Sequence, residues 1–432
     1  MSDSQETLPA TGEIVGLAAT LSRPTSFGIE WWSLLTDPSF LRNPYPELSR
    51  IRDLSPIHFD AETGIYFVLG HREFGQMARS KEMGRDIRLW TNSWSSPENK
   101  QRDPAAYELF REFQPQMINV NPPDHRRMRG IYEKAFRPAN MAQFLPMIER
   151  ECRQLLDEIP ADTPIDFMTS FANLLPHRVS RNLFEISPEM DDQLGKWIAA
   201  LSWIGNIIMT PEQKQEAHVA QHEFKAYVKK HLASRQGDPG EGFIGMSIAA
   251  FTESAMDEEE TLNNVVMLIS GSRTTLTLLG NGMLALLQNP DQFELLRANR
   301  TLLNSAIEEM LRYEPGSSII PRAAINDFQC GDVYFPAGTL AIGLVGAINR
   351  DPAAFENPNL FDITRQPNFH FVFGGGPHIC IGKALARMTA QVAFTQLMDR
   401  FPAIELAGKP EWWVDRSDQR GLVSLPLQLS PA

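Results

Sequence analysis

Cysteine is scarce in this chain: 432 residues contain three, Cys152, Cys330 and Cys380, far apart from one another. That excludes a disulfide scaffold, and the lack of any Cys-x-x-Cys excludes a paired-cysteine zinc site. A reducing compartment is expected, so the chain is read as cytoplasmic. Apolar runs are short too. No stretch approaches the twenty or so apolar residues of a membrane span, and nothing after Met1 resembles a secretory leader, so no membrane association is expected. Positive charge is outweighed, with 40 Lys and Arg against 53 Asp and Glu, a net −13 that argues against non-specific nucleic-acid binding. Internal repeats and Gly/Ser- or Pro-rich linkers are also missing. The chain, 43% hydrophobic and able to bury a large core, therefore reads as one domain over residues 31–432, preceded by a polar, weakly ordered arm over residues 1–30.

What is present is mostly helical in period. Apolar residues recur at three- and four-residue intervals over Met141–Leu156 and Ala306–Tyr313. The longest such run opens at Asp257, a good N-cap followed by Glu258, Glu259 and Glu260, which complement the helix dipole. It continues to about Gln288 before Pro290, and predicts one helix of roughly thirty residues, ~45 Å long. Tyr45 to Val68 reads as a short helix followed by strands. Alternation around Ile65–Leu69, Ala323–Phe328 and Val333–Ile342, punctuated by Gly and Pro, predicts a small β region. The expected fold class is mainly α with small β-sheets. Cys152 falls in a helical pattern and Cys330 in a hairpin, so both read as structural.

Cys380 is different. Phe373-Gly374-Gly-Gly-Pro-His378-Ile-Cys380-Ile-Gly382 sets one cysteine in a glycine-rich loop immediately before an apolar-periodic stretch, Lys383 to Phe401. The glycines permit close approach to a bulky flat ligand, and a helix N-terminus aimed at the sulfur is expected to lower the thiol pKa. A thiolate so held suits haem iron and favours O–O cleavage. The loop fits Phe-x-x-Gly-x-x-x-Cys-x-Gly at every fixed position, and in this the chain resembles the cytochrome P-450 superfamily, in its soluble bacterial form, from about Pro44 to the C-terminus. The resemblance implies the fold of that superfamily, with a long central helix over the haem, and a haem b cofactor with Cys380 as the metal ligand.

Further positions match the superfamily's motifs. Glu309 and Arg312, three apart in Glu-Glu-Met-Leu-Arg, resemble its Glu-x-x-Arg helix, whose role is assembly; alone, such a pair would be an ordinary surface ion pair. The usual third member is an Arg just before a Phe, but Leu360 precedes Phe361 here, and Arg365 is the expected substitute. His125 and Arg129 in Pro-Pro-Asp-His-Arg-Arg-Met-Arg, Arg322 in Ile-Pro-Arg, and His378 resemble the propionate ligands, with Phe373, Gly374 and Gly382 shaping the haem loop. Arg126, Arg127, Lys134 and Arg137 form a basic island where the resemblance places docking of a ferredoxin, reduced in turn by a ferredoxin reductase. Ser270-Gly271-Ser272-Arg273-Thr274-Thr275 aligns with Ala/Gly-Gly-x-Asp/Glu-Thr-Thr, which implies that Gly271 leaves room beside the cofactor and Thr274 supports proton delivery. Arg273 replaces the usual acid, and a guanidinium does not release protons.

The implied activity is a monooxygenase that inserts one atom of O2 into a medium-sized hydrophobic organic substrate, acting as a monomer. Two rivals remain open: a hydrogen peroxide-driven peroxygenase or decarboxylase of an anionic substrate, some of which carry Arg at this acidic position, and a non-catalytic haem-binding sensor. By the superfamily's topology, substrate contacts are expected from Trp90 and Trp94, Trp203 within Leu201–Ile208, Ser270, Ser318 and Ile319, and Leu422. Arg273 is expected either to pair with an acid of the neighbouring distal helices or to bind an anionic substrate group.

Overall fold

The computed structural model describes residues 28–93, 96–160, 163–206, 208–238, 240 and 242–430. Most of the expected arm, and Trp94, lie outside the described residues. The helices that position the site are, in chain order, α1 (Pro104–Phe113), α2 (Asp124–Glu133), α3 (Pro211–Ser234) and α4 (Glu258–Ser270). They are followed by α5 (Arg273–Gln288), α6 (Leu303–Tyr313) and α7 (Lys383–Arg400). No described helix is long and apolar enough to cross a membrane.

Local sequence explains where these helices start. At α4, the Asp257 carboxylate accepts from the Glu260 N–H (2.8 Å) while Glu260 accepts from the Asp257 N–H (3.1 Å), a reciprocal cap. Thr210 and Gln213 do the same for α3. The single long helix expected from Asp257 to Gln288 is not formed. It is two helices, α4 and α5, separated at Gly271–Ser272. Apolar periodicity continues on both sides of the break and so conceals it.

Helices α5, α6 and α7 meet where α5 is narrowest. A Cβ on Gly282 would lie 2.8 Å from Met310 Sδ and 3.2 Å from Phe394 Cζ, so any larger residue would force these side chains to shift. Around it Met283, Leu286, Met310, Phe394 and Leu397 are fully buried in the main apolar core. Truncating one of the leucines to alanine here costs about 2–5 kcal/mol.

A five-stranded sheet flanks this helical mass. Its spatial order is Ile57–Asp60, Ile65–Val68, Leu340–Leu344, Ile319–Ala324 and Met83–Gly84. Ile65–Val68 runs parallel to Leu340–Leu344, with Phe67 opposite Ile342. The strand expected over Ala323–Phe328 instead occupies Ile319–Ala324, and Phe328–Cys330 pairs with Val333–Phe335 as a hairpin. Trp31 stacks on Phe67 at 4.0 Å between ring centroids, fastening the first described helix to the sheet. Cys152 and Cys330 are buried, and burial pushes their thiols up to about 12 and about 11, so neither is a reactive nucleophile.

Candidate active site

The cysteine loop folds back on itself. The Cys380 N–H donates to the Phe373 carbonyl at 2.8 Å, and Gly374 and Gly376 take φ of +70° and +67°. A Cβ on Gly376 would collide with the Ala78 carbonyl, so the loop lies against the helix His71–Arg79 only because that residue is glycine. Helix α7 starts directly after it. The Cys380 thiol is nevertheless not lowered. Burial raises it above the ordinary cysteine value, while the Gly382 N–H, Arg129, Lys383 and Arg387 oppose the rise without overcoming it. The expected lowering by the helix dipole is thus corrected for the free side chain; coordination to a metal is what deprotonates such a thiol outright. Cys380 is also solvent-accessible. Accessible yet desolvated, its sulfur lies on the wall of an internal space.

Basic side chains border that space. His125 on α2 and His378 in the loop face each other, ring centroids 3.9 Å apart. Arg322 is buried, its guanidinium donating to the carbonyls of Gly375 (3.1 Å) and Pro321 (3.0 Å). Arg129, one turn after His125, has Glu133 3.7 Å away on its outer side. The structure adds Arg85, which the sequence did not reveal. Met83–Gly84 pairs with Ala323–Ala324, and this brings Arg85 to the Pro321 carbonyl (3.1 Å) beside Arg322. No local pattern signals that pairing.

These groups disfavour one another's charge. His378 is pushed down to about 2 by burial and then by His125, Arg85, Arg322 and Arg129. Burial and then Arg129 take His125 to about 4; burial and then Arg85 take Arg322 to about 9; burial alone takes Arg85 to about 10. Among the described residues no carboxylate bonds His125, His378, Arg85 or Arg322, and His125 Nδ1 is buried without a hydrogen-bond partner. Buried cations without counter-ions are costly, and a ligand carrying two carboxylates would satisfy them. The residues fit a haem with its propionates turned toward this cluster.

Behind the loop, Glu309 and Arg312 are fully buried and joined by two 2.7 Å bonds. Arg312 also donates to the carbonyls of Asn349 (3.0 Å), Pro358 (2.8 Å) and Leu360 (3.0 Å). Glu309 accepts further bonds from Arg365 (3.2 Å), Asn368 (3.1 Å) and the Asp362 N–H (2.9 Å). The structure therefore brings Arg365 onto the pair. Neighbouring Glu308 grips Arg387 of α7 at 2.6 and 2.7 Å and also His370. Burial would raise its pKa, but these bonds hold it down to about 2. Arg387 in turn lies over the Phe373 ring at 4.6 Å, linking α6 to the loop.

The break between α4 and α5 exposes Gly271 and Thr274, and the Thr274 hydroxyl donates to the Gly271 carbonyl at 3.2 Å. Thr275 is turned into the core. The Ser270 hydroxyl is buried without a partner. Among the described residues Arg273 makes no ion pair; it stacks over Trp413 at 5.0 Å, and its Nε is buried with no partner among them. Burial, then Arg416, lower its pKa to about 10 against the pull of Asp418 and Asp415. Those acids belong to the C-terminal segment, not to the neighbouring distal helices, and Asp418 is held by Arg416 through two 3.0 Å bonds. Arg416 also lies over Trp203 and Trp413, so Trp203 joins the same cluster. Ser318 and Ile319 share a cavity of about 40 Å³ with Trp413 and Arg416. Leu422 is buried opposite Trp412. Trp90 packs instead on the core cluster that contains Trp31 and Leu340.

The basic island is less uniform than expected. Arg127 is tied to Glu260 at 2.7 and 2.8 Å, to Asp124 at 2.9 Å and to the Ala255 carbonyl at 2.7 Å. It fastens α2 to the start of α4 and is not a free docking charge. Arg126, Lys134 and Arg137 are exposed.

A glycine loop presenting one cysteine at a helix N-terminus, beside a cluster of basic groups of which His125, His378, Arg85 and Arg322 meet no carboxylate among the described residues, defines a haem-thiolate protein. The family profile described as Cytochrome P450 matches residues 92–429, and the chain belongs to that family. Similar proteins include the "Biotin biosynthesis cytochrome P450" of Bacillus subtilis (strain 168), 33% identical over 85% of this chain and 91% of that one. "Polyketide biosynthesis cytochrome P450 PksS" of the same organism is 33% identical over 90% of this chain and 97% of its own. Among solved structures, P450BioI in complex with hexadec-9Z-enoic acid ligated acyl carrier protein superposes with a TM-score of 0.82 at 30% identity, covering 91% of this chain and all of that one. The chain accordingly has the cytochrome P450 fold, binds haem through a cysteine thiolate and is a monooxygenase.

Proposed function

We propose that Cys380 is the thiolate ligand in one haem domain running from Trp31 to the C-terminus. In this reading the enzyme hydroxylates a medium-sized hydrophobic molecule, with electrons from a separate ferredoxin and its reductase. The observation that carries this is the convergence of the Cys380 loop with His125, Arg129, Arg322, His378 and Arg85, basic groups from distant segments of which, among the described residues, only Arg129 has an acidic partner, Glu133. Bound there, haem supplies activation of dioxygen and transfer of one oxygen atom to the substrate. The chain's own residues do the rest. Phe373, Gly374 and Gly382 shape the loop around the sulfur. Gly271 keeps side-chain bulk away from the break, and the Thr274 hydroxyl, held by the Gly271 carbonyl, is placed to hold and pass a proton. Arg273 cannot release one at working pH, so the proton route runs through Thr274 and solvent. Thr275 packs in the core and supports Thr274 from behind.

Two measurements test the reading. Carbon monoxide added to the reduced protein should give the red-shifted absorption of thiolate ligation, lost in Cys380→Ala and kept in Cys152→Ala and Cys330→Ala. Turnover with NADH and a surrogate ferredoxin system should exceed turnover with peroxide alone. Peroxide turnover that matches or exceeds it would favour a peroxygenase, and no turnover under either condition would favour a sensor.

One observation favours a second reading of the substrate, in which it carries an anionic group held by Arg273. The Arg273 Nε is buried with no partner among the described residues, and the nearby Asp418 is already engaged by Arg416. The fatty acyl group named for the P450BioI complex is joined to a carrier protein, so it accords with an elongated apolar substrate and not with the anionic group itself. Spin-state titrations with a fatty acid and its methyl ester test this. Arg273→Leu should weaken the acid at least tenfold and leave the ester unchanged; equal loss for both would reject it.

A further inference from the structure

Helices α1 and α3 lie side by side, fastened near their N-terminal ends by Lys214 against Asp103. Further along, three metal-binding side chains converge. His218 and His222, one turn apart on α3, present their Nε2 atoms 3.0 Å from each other. Both face Glu112 near the end of α1, whose Oε2 is 2.9 Å from His222 Nε2 and 3.6 Å from His218 Nε2. The three donor atoms all lie within 4.8 Å of one another.

We propose that Glu112, His218 and His222 form a binding site for a divalent transition metal of the zinc class, separate from the haem. The spacing supports this. Bonds of about 2.0–2.1 Å in a tetrahedron put neighbouring donors roughly 3.3–3.4 Å apart, and the observed separations straddle that value. The charges support it as well. Glu112 turns its other oxygen, Oε1, toward Arg111 at 3.6 Å, leaving Oε2 to the histidines. The nearby α3 lysines are already engaged, Lys214 by Asp103 and Lys225 by Glu259. The site is built on its α1 side, since the Glu112 carbonyl accepts from Asn263 of α4 at 3.1 Å. Two imidazoles and one carboxylate suit Zn2+, Cu2+ or Ni2+ and not the oxygen-seeking Mg2+ or Ca2+. His222 is 58% exposed, which leaves the fourth position open to water. A bound ion would clamp α1 to α3, so it would bind the folded chain in preference to the unfolded one.

The test is Zn2+ titration of the haem-loaded protein, free of any affinity tag, against a chromophoric chelator. One saturating site per chain is expected, with a rise in thermal midpoint on adding Zn2+ and none on adding Mg2+. His218→Ala and His222→Ala should each weaken binding at least about tenfold and abolish the thermal shift, with Glu112→Gln also weakening it. His231→Gln on the same helix should leave binding unchanged. An unaltered haem spectrum in each variant shows that the fold is retained. Absence of saturable binding in the parent protein, or equal binding in parent and all three site variants, overturns the proposal.

Discussion

Removing Arg312 and removing Arg365 should have unequal effects, because the two arginines stand differently toward the same carboxylate. Arg312 and Glu309 are both fully buried, and Arg312 also satisfies three backbone carbonyls. Arg312→Ala strips those carbonyls of their donor and leaves Glu309 held only by Arg365, Asn368 and the Asp362 N–H. Breaking a buried pair from one side costs about 3–5 kcal/mol. Arg365→Ala leaves the pair intact and removes one 3.2 Å bond plus donations to outlying carbonyls, a loss of about 1–2 kcal/mol. Arg312→Lys is not a rescue, since an ammonium cannot reproduce two parallel bonds to Glu309 and three to carbonyls at once. Urea titration of the holoprotein, followed by haem absorption and tryptophan fluorescence, measures the difference. With a slope of about 3 kcal/mol/M, the midpoint should fall by roughly 1–1.7 M for Arg312→Ala and by less than about 0.7 M for Arg365→Ala. Glu309→Gln, which leaves two cations facing a neutral amide, should resemble Arg312→Ala. Equal midpoints for the two arginine variants would show that the pair does not act as a buried unit and that the reasoning is wrong.

Three other outcomes are expected. Arg85→Ala should release haem to a scavenging apoprotein roughly ten- to a hundredfold faster, the equivalent of one charge-assisted hydrogen bond, and an unchanged release rate would remove Arg85 from the cofactor's surroundings. Acid should destabilise the haem-free protein through His125: its folded pKa, about 4, lies below the unfolded value of about 6.5, so its contribution is complete above pH 6.5 and is lost as pH falls. Between pH 7.5 and 5 that loss is about 2 kcal/mol, and His125→Gln should flatten the profile measured by denaturant titration. Arg126→Glu combined with Lys134→Glu should slow reduction by ferredoxin roughly tenfold at low salt with stability intact, whereas Arg127→Glu should lower the thermal midpoint by breaking the link to Glu260; unchanged reduction in the double variant would place docking elsewhere.

What could be read beforehand was what is local along the chain. The cysteine loop, the Glu-x-x-Arg turn and the His125–Arg129 turn each keep their meaning within ten residues. The break between α4 and α5 was hidden because Ser270 and Ser272 flank Gly271 inside an unbroken apolar rhythm. The strand at Ile319–Ala324 contains Pro321, a residue that is uncommon in a sheet interior. The structure accommodates it because Met83–Gly84 pairs only with Ala323 and Ala324, leaving the strand open on that side at Pro321. Arg85 and Glu112 were invisible for a related reason: their partners, Arg322 and the α3 histidines, are more than a hundred residues away, and only folding makes them neighbours. Arg127 looked like its basic neighbours, and its pairing with Glu260 depends on how α2 meets α4.

The wide separation of the groups around the cofactor also sets when the protein can acquire it. His125 is made before Arg322 and Arg322 before Cys380, and the strand Ile65–Val68 waits for Leu340–Leu344 as its parallel neighbour. At about 5–20 residues per second, roughly 250 residues of translation, some tens of seconds at the slower rate, separate the first of these groups from the last. Until then the growing chain offers the α2 histidine and arginine without a thiolate, and a sheet without its centre. Haem capture therefore waits until Cys380 has been made, and the interval before it is when chaperones have the most exposed apolar surface to guard.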